Sequence, residues 1–424
     1  MTPNPNPDTS MIAVAITDLP PGSVKPRALS RVDPRRTPMA APMAPAPVKS
    51  SSFANFSPAP APRIPLSAAV KNWQAPFVSN SNAKIRVAVL GVGSLGKEHA
   101  RLYADLAAAG LVEFTGLYDA NPETARKIAA KHNARVFNSV AEAAAHADAL
   151  NIVTPTTSHF DLAKELLAQG KHVLVEKPMT ETTEQAAELV QLAQQKKCVL
   201  QVGHVERFNP VFKYLETVAT EPRFIEVHRL SPFPARSTDI GVVLDLMIHD
   251  LDVVLAFVKS PVISVDAVGI PVLSKSEDIA NVRLRFANGC VANLTASRVS
   301  PERMRKIRVF SGGLVPSYIS LDYRVQEGYI YRIARDGEEE SSILKKLLVA
   351  KLGVGKDSAI VSEFGGKRVV REPVPIAKDE PLKLELQHFV QCVTDHQTPL
   401  VSGESAKRAL DLAFEITRQV QQSK

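Results

Sequence analysis

The chain has 424 residues and 45% of them are hydrophobic, which predicts a globular protein of about two domains. Its formal net charge of +7 could suit a nucleic-acid partner, but the first 83 residues alone hold eight Lys and Arg against three Asp. Because much of the excess lies in this tail and the rest is dispersed, nucleic-acid binding is excluded as the main function.

Residues 1–83 form a Pro- and Ala-rich segment that holds 16 of the 31 prolines. It has no helical or strand period and cannot bury enough apolar surface to offset its ordering entropy, so we predict a disordered extension. Arg35 and Arg36 are not followed by the apolar core of an export signal. The chain has no apolar run long enough to span a membrane, and its three cysteines lack disulfide or metal-ligand spacing. We therefore expect a cytoplasmic protein without a membrane span.

A glycine-rich segment follows the first apolar run after this tail. Residues 85–90 read as a buried parallel strand, and Gly91-Val-Gly-Ser-Leu-Gly96 comes directly after it. A helix is predicted from residue 97 to 109. A GxGxxG between a strand and a helix predicts a dinucleotide-binding turn, with the pyrophosphate at the helix N-terminus.

Each of the three glycines of this turn has a physical role. Gly91 permits the sharp turn, Gly93 lets the backbone approach the pyrophosphate, and Gly96 allows the helix to pack closely on the strand. A second strand, 114–118, ends on Asp119, which is predicted to accept hydrogen bonds from the ribose hydroxyls. An acid at this place, without a following cation, predicts NAD as the cofactor.

From residue 84 onward, short apolar runs alternate with helical segments, which is typical of a parallel sheet wrapped by helices. We therefore predict an α/β protein with an N-terminal Rossmann dinucleotide-binding domain over 84–208. Its six predicted strands are 85–90, 114–118, 135–137, 149–153, 172–175 and 199–202, and the helices between them cover 97–109, 122–132, 139–146, 158–169 and 182–197.

The sequence pattern changes after residue 208. The predicted strands become longer and alternate apolar with polar residues, as in 224–230, 281–286 and 291–296. Asn288-Gly289 is a strong hairpin signal between the last two. We predict an α+β domain over 209–424, with an open, mostly antiparallel sheet that serves substrate binding and oligomerisation. Helices are expected over 382–395 and 404–422, the C-terminal one packing back on the Rossmann domain.

Polar segments follow the fourth and fifth predicted strands, at the sheet edge where ligands of such folds bind. Thr154-Pro-Thr-Thr-Ser-His159 follows one strand and Glu176-Lys-Pro-Met179 the next. Lys177 would be held rigidly near the nicotinamide, although a strand-end lysine can equally be a solvated charge. The predicted cofactor contacts are Gly91, Gly93, Ser94, Leu95, Gly96, Asp119, Thr154, Pro155, Thr156, His159, Glu176 and Lys177.

A third constellation lies in a predicted helix over 241–258. Asp245 and His249 are four residues apart and would share one helix face, so the carboxylate could orient the imidazole as a general base. A purely structural hydrogen bond is the alternative. The acid-rich helix could also hold a divalent metal, but with no cysteine or second histidine nearby we expect none.

The glycine-rich turn, Glu176-Lys-Pro178 and Asp245-Leu-Met-Ile-His249, in this order, resemble the Gfo/Idh/MocA oxidoreductases, from about residue 84 to 424. The resemblance implies a bound nicotinamide cofactor and hydride transfer at a sugar or cyclitol carbon. It also implies that Lys177 is the active-site lysine and that Asp245 and His249 are the Asp-x-x-x-His pair. Whether His249 or Lys177 is the base stays open.

More narrowly, segments 202–210, 241–252 and 296–300 resemble the members of this family that oxidise C3 of UDP-N-acetylglucosamine for lipid A amino sugars. This implies a homo-oligomer and functional coupling to an aminotransferase. A free hexose, inositol or UDP-N-acetylglucosaminuronic acid stays open as substrate, as does a non-catalytic NAD-sensing role. The side chains expected to hold a diphosphate-bearing substrate are Arg207, Asn209, Arg298 and Lys306.

Overall fold

The structure, a computed structural model, describes residues 84–233, 240–313, 316–334 and 359–422. The extension predicted to be disordered, 1–83, lies outside the described residues. Two sheets with their helices organise the described chain. None of the helices in these ranges is long and apolar enough to cross a membrane.

The first sheet has five parallel strands in the order β2-β1-β3-β4-β5. Helices cover it, so its strands are nearly continuous buried runs, as a parallel sheet requires. The predicted Rossmann fold is confirmed. The strands are β1 Arg86–Leu90, β2 Glu113–Tyr118, β3 Ala149–Ile152, β4 His172–Glu176 and β5 Leu200–Gly203, and the helices are α1 Gly96–Ala108, α2 Pro122–His132, α3 Val140–His146, α4 His159–Ala168 and α5 Thr183–Lys196.

The sixth strand predicted at 135–137 is reduced to one parallel bridge between Val136 and Leu117. Helix α2 ends at Asn133, which has a left-handed φ of 49°. Helix α3 starts at once after Ser139, whose side chain accepts a hydrogen bond from the backbone N–H of Glu142. Only 134–138 separate the two caps, so the prediction of a strand here is wrong because the segment is too short to continue the pairing.

The second sheet has nine strands within the described residues, in the order β13-β14-β12-β11-β10-β6-β9-β8-β7. Neighbours are antiparallel except β6 and β9, which confirms a mostly antiparallel sheet. The hairpin predicted at Asn288-Gly289 joins β8 to β9, and Gly289 has a φ of 83°. The strands are β6 Pro222–Leu230, β7 Val262–Ile270, β8 Ile279–Phe286, β9 Val291–Ser297, β10 Met304–Ser311, β11 Ser317–Asp322, β12 Glu327–Ile333, β13 Ala359–Phe364 and β14 Lys367–Pro373.

The helix predicted over 241–258 is α-helical only in its second part. Val243–Met247 form a π-helical turn, and α7 then runs over Ile248–Val258. Gly241 lies so close to the buried Glu277 that an added Cβ would come 1.8 Å from a carboxylate oxygen. The start of the helix therefore packs closely against Glu277. The wider π turn rotates the Asp245 side chain away from the position that an α-helix would give it relative to His249, four residues later.

Three more helices complete the described chain: α6 Pro210–Val218, α8 Pro381–Asp395 and α9 Gly403–Gln422. The apolar side chains of α8, including Leu386, Phe389 and Val390, belong to the same buried cluster as β1 and α1. The side-chain amide of Gln201, in β5, also donates to the backbone oxygen of Glu385. Helix α8 thus packs against the Rossmann sheet and its first helix.

Deleting residues 1–83 is expected to leave cofactor affinity within about twofold, because the glycine-rich turn and its sheet are formed entirely after residue 84. The affinity would be measured by calorimetric titration of both forms with NAD. If instead the extension wraps a neighbouring subunit, its deletion would change the sedimentation coefficient of the oligomer in analytical ultracentrifugation. That result would contradict the predicted disordered extension.

Candidate active site

The glycine-rich turn has the geometry that its sequence predicts. Gly91 has a φ of 83°, and its N–H donates to the Tyr118 oxygen at 2.8 Å. A Cβ on Gly91 would lie 2.8 Å from the Val153 oxygen, and one on Gly96 only 1.9 Å from the Gly91 oxygen. Both positions therefore require glycine for backbone conformation and close packing.

Gly93 differs, because a Cβ added there would meet no atom of the described chain within 4 Å. Packing within the protein thus gives no reason for this glycine. Gly93, Ser94 and Leu95 are exposed just before α1, whose first N–H groups and positive dipole end face the same side. The turn fits the close approach of a diphosphate to the backbone.

Asp119 lies at the end of β2, beside this turn. Its Oδ2 atom accepts from the Val92 N–H at 2.7 Å and its Oδ1 atom from the Asn121 N–H at 2.8 Å. Two backbone donors fix the partly exposed carboxylate, which leaves its remaining lone pairs for hydroxyl donors. The position fits the ribose of a dinucleotide held by the turn.

NAD is expected to bind at least about tenfold more tightly than NADP, since the Asp119 carboxylate would repel a 2′-phosphate. Asp119→Asn keeps a side-chain acceptor for the Val92 N–H and removes the charge, so it should narrow the preference. Calorimetric titration of both proteins with both cofactors measures the ratio. Equal or tighter NADP binding by the unaltered protein would refute the assignment.

His159 has a different place from the predicted cofactor contact. It is 1% exposed, and its ring nitrogens face two carbonyl oxygens, Pro178 at 2.9 Å and Thr154 at 2.8 Å. The prediction is corrected: the imidazole joins the turns that follow β3 and β4. Thr154, Pro155 and Thr156 stay at the partly exposed edge.

Lys177 follows β4 and is joined to Pro178 by a cis peptide bond. Its Nζ donates to the backbone oxygen of Asp245 at 2.6 Å and lies 3.4 Å from Asp245 Oδ1. The two side chains are only 18% and 16% exposed. The lysine is therefore a fixed cation at the strand end, linking the Rossmann sheet to the π turn, and not a freely solvated charge.

Glu176 supports this lysine from below. Its Oε2 atom accepts from the Lys177 N–H at 3.3 Å, and its Oε1 atom lies 3.1 Å from Nε2 of His99. Asn151 donates its amide to the other ring nitrogen of His99, because its oxygen already accepts from the Tyr103 hydroxyl. His99 thus carries its proton on Nε2 and donates it to Glu176. This buried carboxylate is thus engaged by His99 and by the Lys177 backbone. The cofactor contact predicted for Glu176 stays a prediction.

His249 and Asp245 do not form the predicted pair. Among the described residues, the Asp245 carboxylate contacts Lys177. The buried Nδ1 atom of His249 has no hydrogen-bond partner among the described residues. The π turn accounts for the difference. Burial, followed by the charges of Lys177 and Arg229, holds the pKa of His249 well below its ordinary value. His249 is therefore a neutral imidazole that can accept a proton.

The sequence analysis missed His204, which follows β5 as Lys177 follows β4. His204 is 1% exposed, and its ring meets that of His249 edge to face, with centroids 5.9 Å apart at 89°. Burial is the main cause that lowers its pKa. Its position directly after a strand was the signal that could have identified it.

The side chains predicted to hold a diphosphate are engaged inside the protein. Arg207 contacts Asp252 and the Leu400 oxygen, both at 3.4 Å. Arg298 is fully buried, with Nε 2.8 Å from Asp278. The Asn209 side chain accepts from the Val211 N–H and so caps α6. These three predictions are corrected, because none of the side chains is free to face a substrate.

Arg305 is the better-placed cation. Its side chain is 50% exposed, and its Nη1 lies 3.3 Å from Glu206 Oε1. In the sheet, Arg305 of β10 lies directly opposite Arg229 of the neighbouring strand β6. Its charge also contributes to the low pKa of His249. Because Ile307 and Val309 are buried, strand alternation puts Arg305 on the helix-covered face, and Lys306 on the opposite one.

In the ranges that the structure describes, no group of three or more His, Cys, Asp or Glu side chains has the arrangement of a metal site. The site instead combines a dinucleotide turn, a fixed lysine and a neutral histidine at the carboxyl edge of a parallel sheet. That combination defines a nicotinamide-dependent oxidoreductase.

Two family models match the chain. The NAD-binding Rossmann-fold model of the Gfo/Idh/MocA oxidoreductase family matches residues 85–204, and the GFO/IDH/MocA C-terminal domain model matches residues 219–311. The chain belongs to this family and is an NAD-dependent oxidoreductase.

Among individual proteins, the chain is 34% identical over 333 residues to the UDP-N-acetylglucosamine 3-dehydrogenase of Acidithiobacillus ferrooxidans, covering 78% of this chain and 96% of that enzyme. A solved structure of that enzyme matches with a TM-score of 0.69, covering 79% of this chain and 97% of that one. The inositol 2-dehydrogenase of Rhizobium meliloti is 30% identical over 230 residues, 50% of this chain and 69% of that enzyme. Levoglucosan dehydrogenase, solved with NADH and levoglucosan, shares the fold at 18% identity, with a TM-score of 0.66 and coverage of 81% and 98%.

Proposed function

We propose that this protein oxidises the C3 hydroxyl of UDP-N-acetylglucosamine to a ketone with NAD. The observation that carries the choice of substrate is the 34% identity that spans 96% of a UDP-N-acetylglucosamine 3-dehydrogenase. The site supports oxidation of a secondary alcohol, because a fixed cation and a neutral base lie together at the cofactor edge.

The residues divide the work as follows. The glycine-rich turn, α1 and Asp119 hold NAD, whose nicotinamide ring supplies the hydride acceptor. Lys177 donates a hydrogen bond to the substrate oxygen and stabilises the developing alkoxide. His249 takes the hydroxyl proton. Asp245 and Glu176 position Lys177 through its Nζ and its backbone N–H.

Of the two candidate bases, the geometry favours His249. Lys177 Nζ donates to a carbonyl oxygen and lies 3.4 Å from a carboxylate, so both contacts use it as a hydrogen-bond donor and not as a proton acceptor. His249 has no such partners among the described groups, and the cations around it keep it neutral.

The similarity to an inositol 2-dehydrogenase keeps a free sugar or cyclitol as the second candidate substrate. Purified protein and NAD would be screened against UDP-N-acetylglucosamine, UDP-N-acetylglucosaminuronic acid, glucose and myo-inositol by absorbance of the reduced cofactor. A trapping aminotransferase with glutamate, or a hydrazine, would remove the ketone. Reduction with UDP-N-acetylglucosamine alone supports the proposal, and reduction with another compound replaces it. NAD binding without turnover on any of them would favour the sensing role.

We also propose that the protein is a cytoplasmic homo-oligomer and that an aminotransferase uses its ketone product as substrate. In support of a second copy as partner, the sheet face away from the helices carries a ladder of contacting rings, Phe224, Phe310, Tyr318 and Tyr331. Phe310 is 41% exposed there. Burying such a row against a second copy would remove apolar surface from water.

A further inference from the structure

Oxidation of an alcohol releases a proton as well as a hydride, and the proton must leave His249 before the next turnover. Its neighbours oppose a lasting positive charge there. Lys177, Arg229 and Arg305 are cations, and His204 is the fourth group that faces it. An imidazolium at His249 would therefore be short-lived, and the structure should offer the proton another place.

The buried side of His249 leads to His204. His249 Nδ1 and His204 Nδ1 are both buried without a hydrogen-bond partner in the described part of the chain. Leaving a buried polar atom unpaired is unfavourable, so two such atoms on neighbouring rings call for a functional or water-mediated explanation. The rings approach edge to face with centroids 5.9 Å apart, a separation that one bridging water molecule can span for proton transfer.

The charges facing the two rings differ. His204 faces the carboxylates of Asp252 and Glu176 together with the cations Lys177 and Arg207. Asp252 is 2% exposed, and its Oδ2 atom has no partner within the described ranges, while Oδ1 lies 3.4 Å from Arg207. A positive charge is therefore better compensated on His204 than on His249.

We propose that His204 is the second member of a proton relay and receives, from Nδ1 of His249, the proton equivalent that leaves the substrate hydroxyl. The substrate O–H bond breaks as an N–H bond forms at Nε2 of His249. The Nδ1–H bond of His249 then breaks, and an N–H bond forms on His204. His249 is left neutral in its other tautomer, and His204 becomes an imidazolium facing Asp252. NAD, held by the glycine-rich turn, would supply the hydride acceptor.

This inference rests on the proposed function, and its test uses His204→Gln and His204→Ala in the full chain. Glutamine keeps polar atoms but cannot carry the proton away between turnovers, so steady-state turnover should fall at least about tenfold, with NAD affinity unchanged. Imidazole added to His204→Ala should restore part of the rate. His388→Ala, which removes a half-buried histidine of α8, is the matched control and should keep the wild-type rate.

A second readout needs no turnover. In the free protein labelled with ¹⁵N-histidine, the relay requires His249 to carry its proton on Nδ1, which NMR distinguishes from the Nε2–H tautomer. An Nε2–H tautomer, a wild-type rate in His204→Gln, or no effect of imidazole on His204→Ala would each overturn the relay. If His249→Ala itself transfers hydride normally, both the assignment of His249 as the base and the relay fail. If the unaltered protein transfers hydride from none of the screened compounds, the proposed function fails. If that variant is inactive and His204→Gln is normal, only the relay fails.

Discussion

Lys177→Ala is expected to lower the single-turnover rate of hydride transfer about 10²-fold or more while leaving NAD affinity within about twofold. The reason is geometric. The Nζ atom is held at the end of β4 by two Asp245 oxygens, at 2.6 and 3.4 Å. Removing it deletes the charge that stabilises the alkoxide. Arginine should not restore the rate, because a guanidinium has a different shape and hydrogen-bonding geometry.

His249→Ala is expected to cause a loss of similar size, since it removes the proton acceptor. Lys171→Ala is the matched control, because Lys171 precedes the opposite end of the same strand and also donates to a backbone carbonyl, that of Ala147. Melting temperature and single-turnover transfer would be measured on the same samples. If His249 only packs the helix, its variant will melt lower and transfer at nearly the normal rate. Near-normal transfer in both site variants would remove the catalytic assignment.

The parts of this site that follow strand ends could be predicted from the sequence. Gly91, Asp119 and Lys177 come directly after β1, β2 and β4, and the parallel sheet brings these ends to one edge. Apolar runs locate such strands reliably because both faces of the sheet are buried. His204 obeys the same rule, but segment 202–210, which contains it, carries a resemblance as a whole and does not single out the side chain at the strand end.

The Asp245 contact could not be predicted, because periodicity alone assumes an α-helix. A π turn changes which side chains share a face, and the N–H of its first residue, Val243, lies 3.4 Å from Glu277 Oε1, more than 30 residues further along the chain. The same limit applies to Arg207 and Arg298. A sequence shows a cation but not the carboxylate that pairs with it, and Asp252 and Asp278 come from other elements. Burial of charge is decided by tertiary contacts, which single-residue patterns do not contain.

Arg229→Met is expected to reduce the free energy of unfolding by about 3–5 kcal/mol, because it leaves buried carboxylates without their cation. Arg229 binds Asp250 through two hydrogen bonds, of 2.7 and 2.8 Å, and Glu206 through two of 3.2 Å. All three side chains are at most 6% exposed. Arg305 would remain beside Glu206, but Asp250 would lose both of its bonds to Arg229.

The loss should also depend on pH, and its sign follows from Asp250. Burial raises the pKa of Asp250 above its ordinary value even with Arg229 beside it, and removing that cation would raise it further. A raised pKa in the folded state means that folding takes up protons, so stability falls as pH rises towards the folded-state value. Urea unfolding should therefore show a larger deficit at pH 8 than at pH 5. Arg86→Met, which breaks a pair whose side chains are 42% and 37% exposed, is the control and should change stability by less than about 1 kcal/mol. Equal, small losses in the two variants at both pH values would show that the buried cluster does not stabilise the fold.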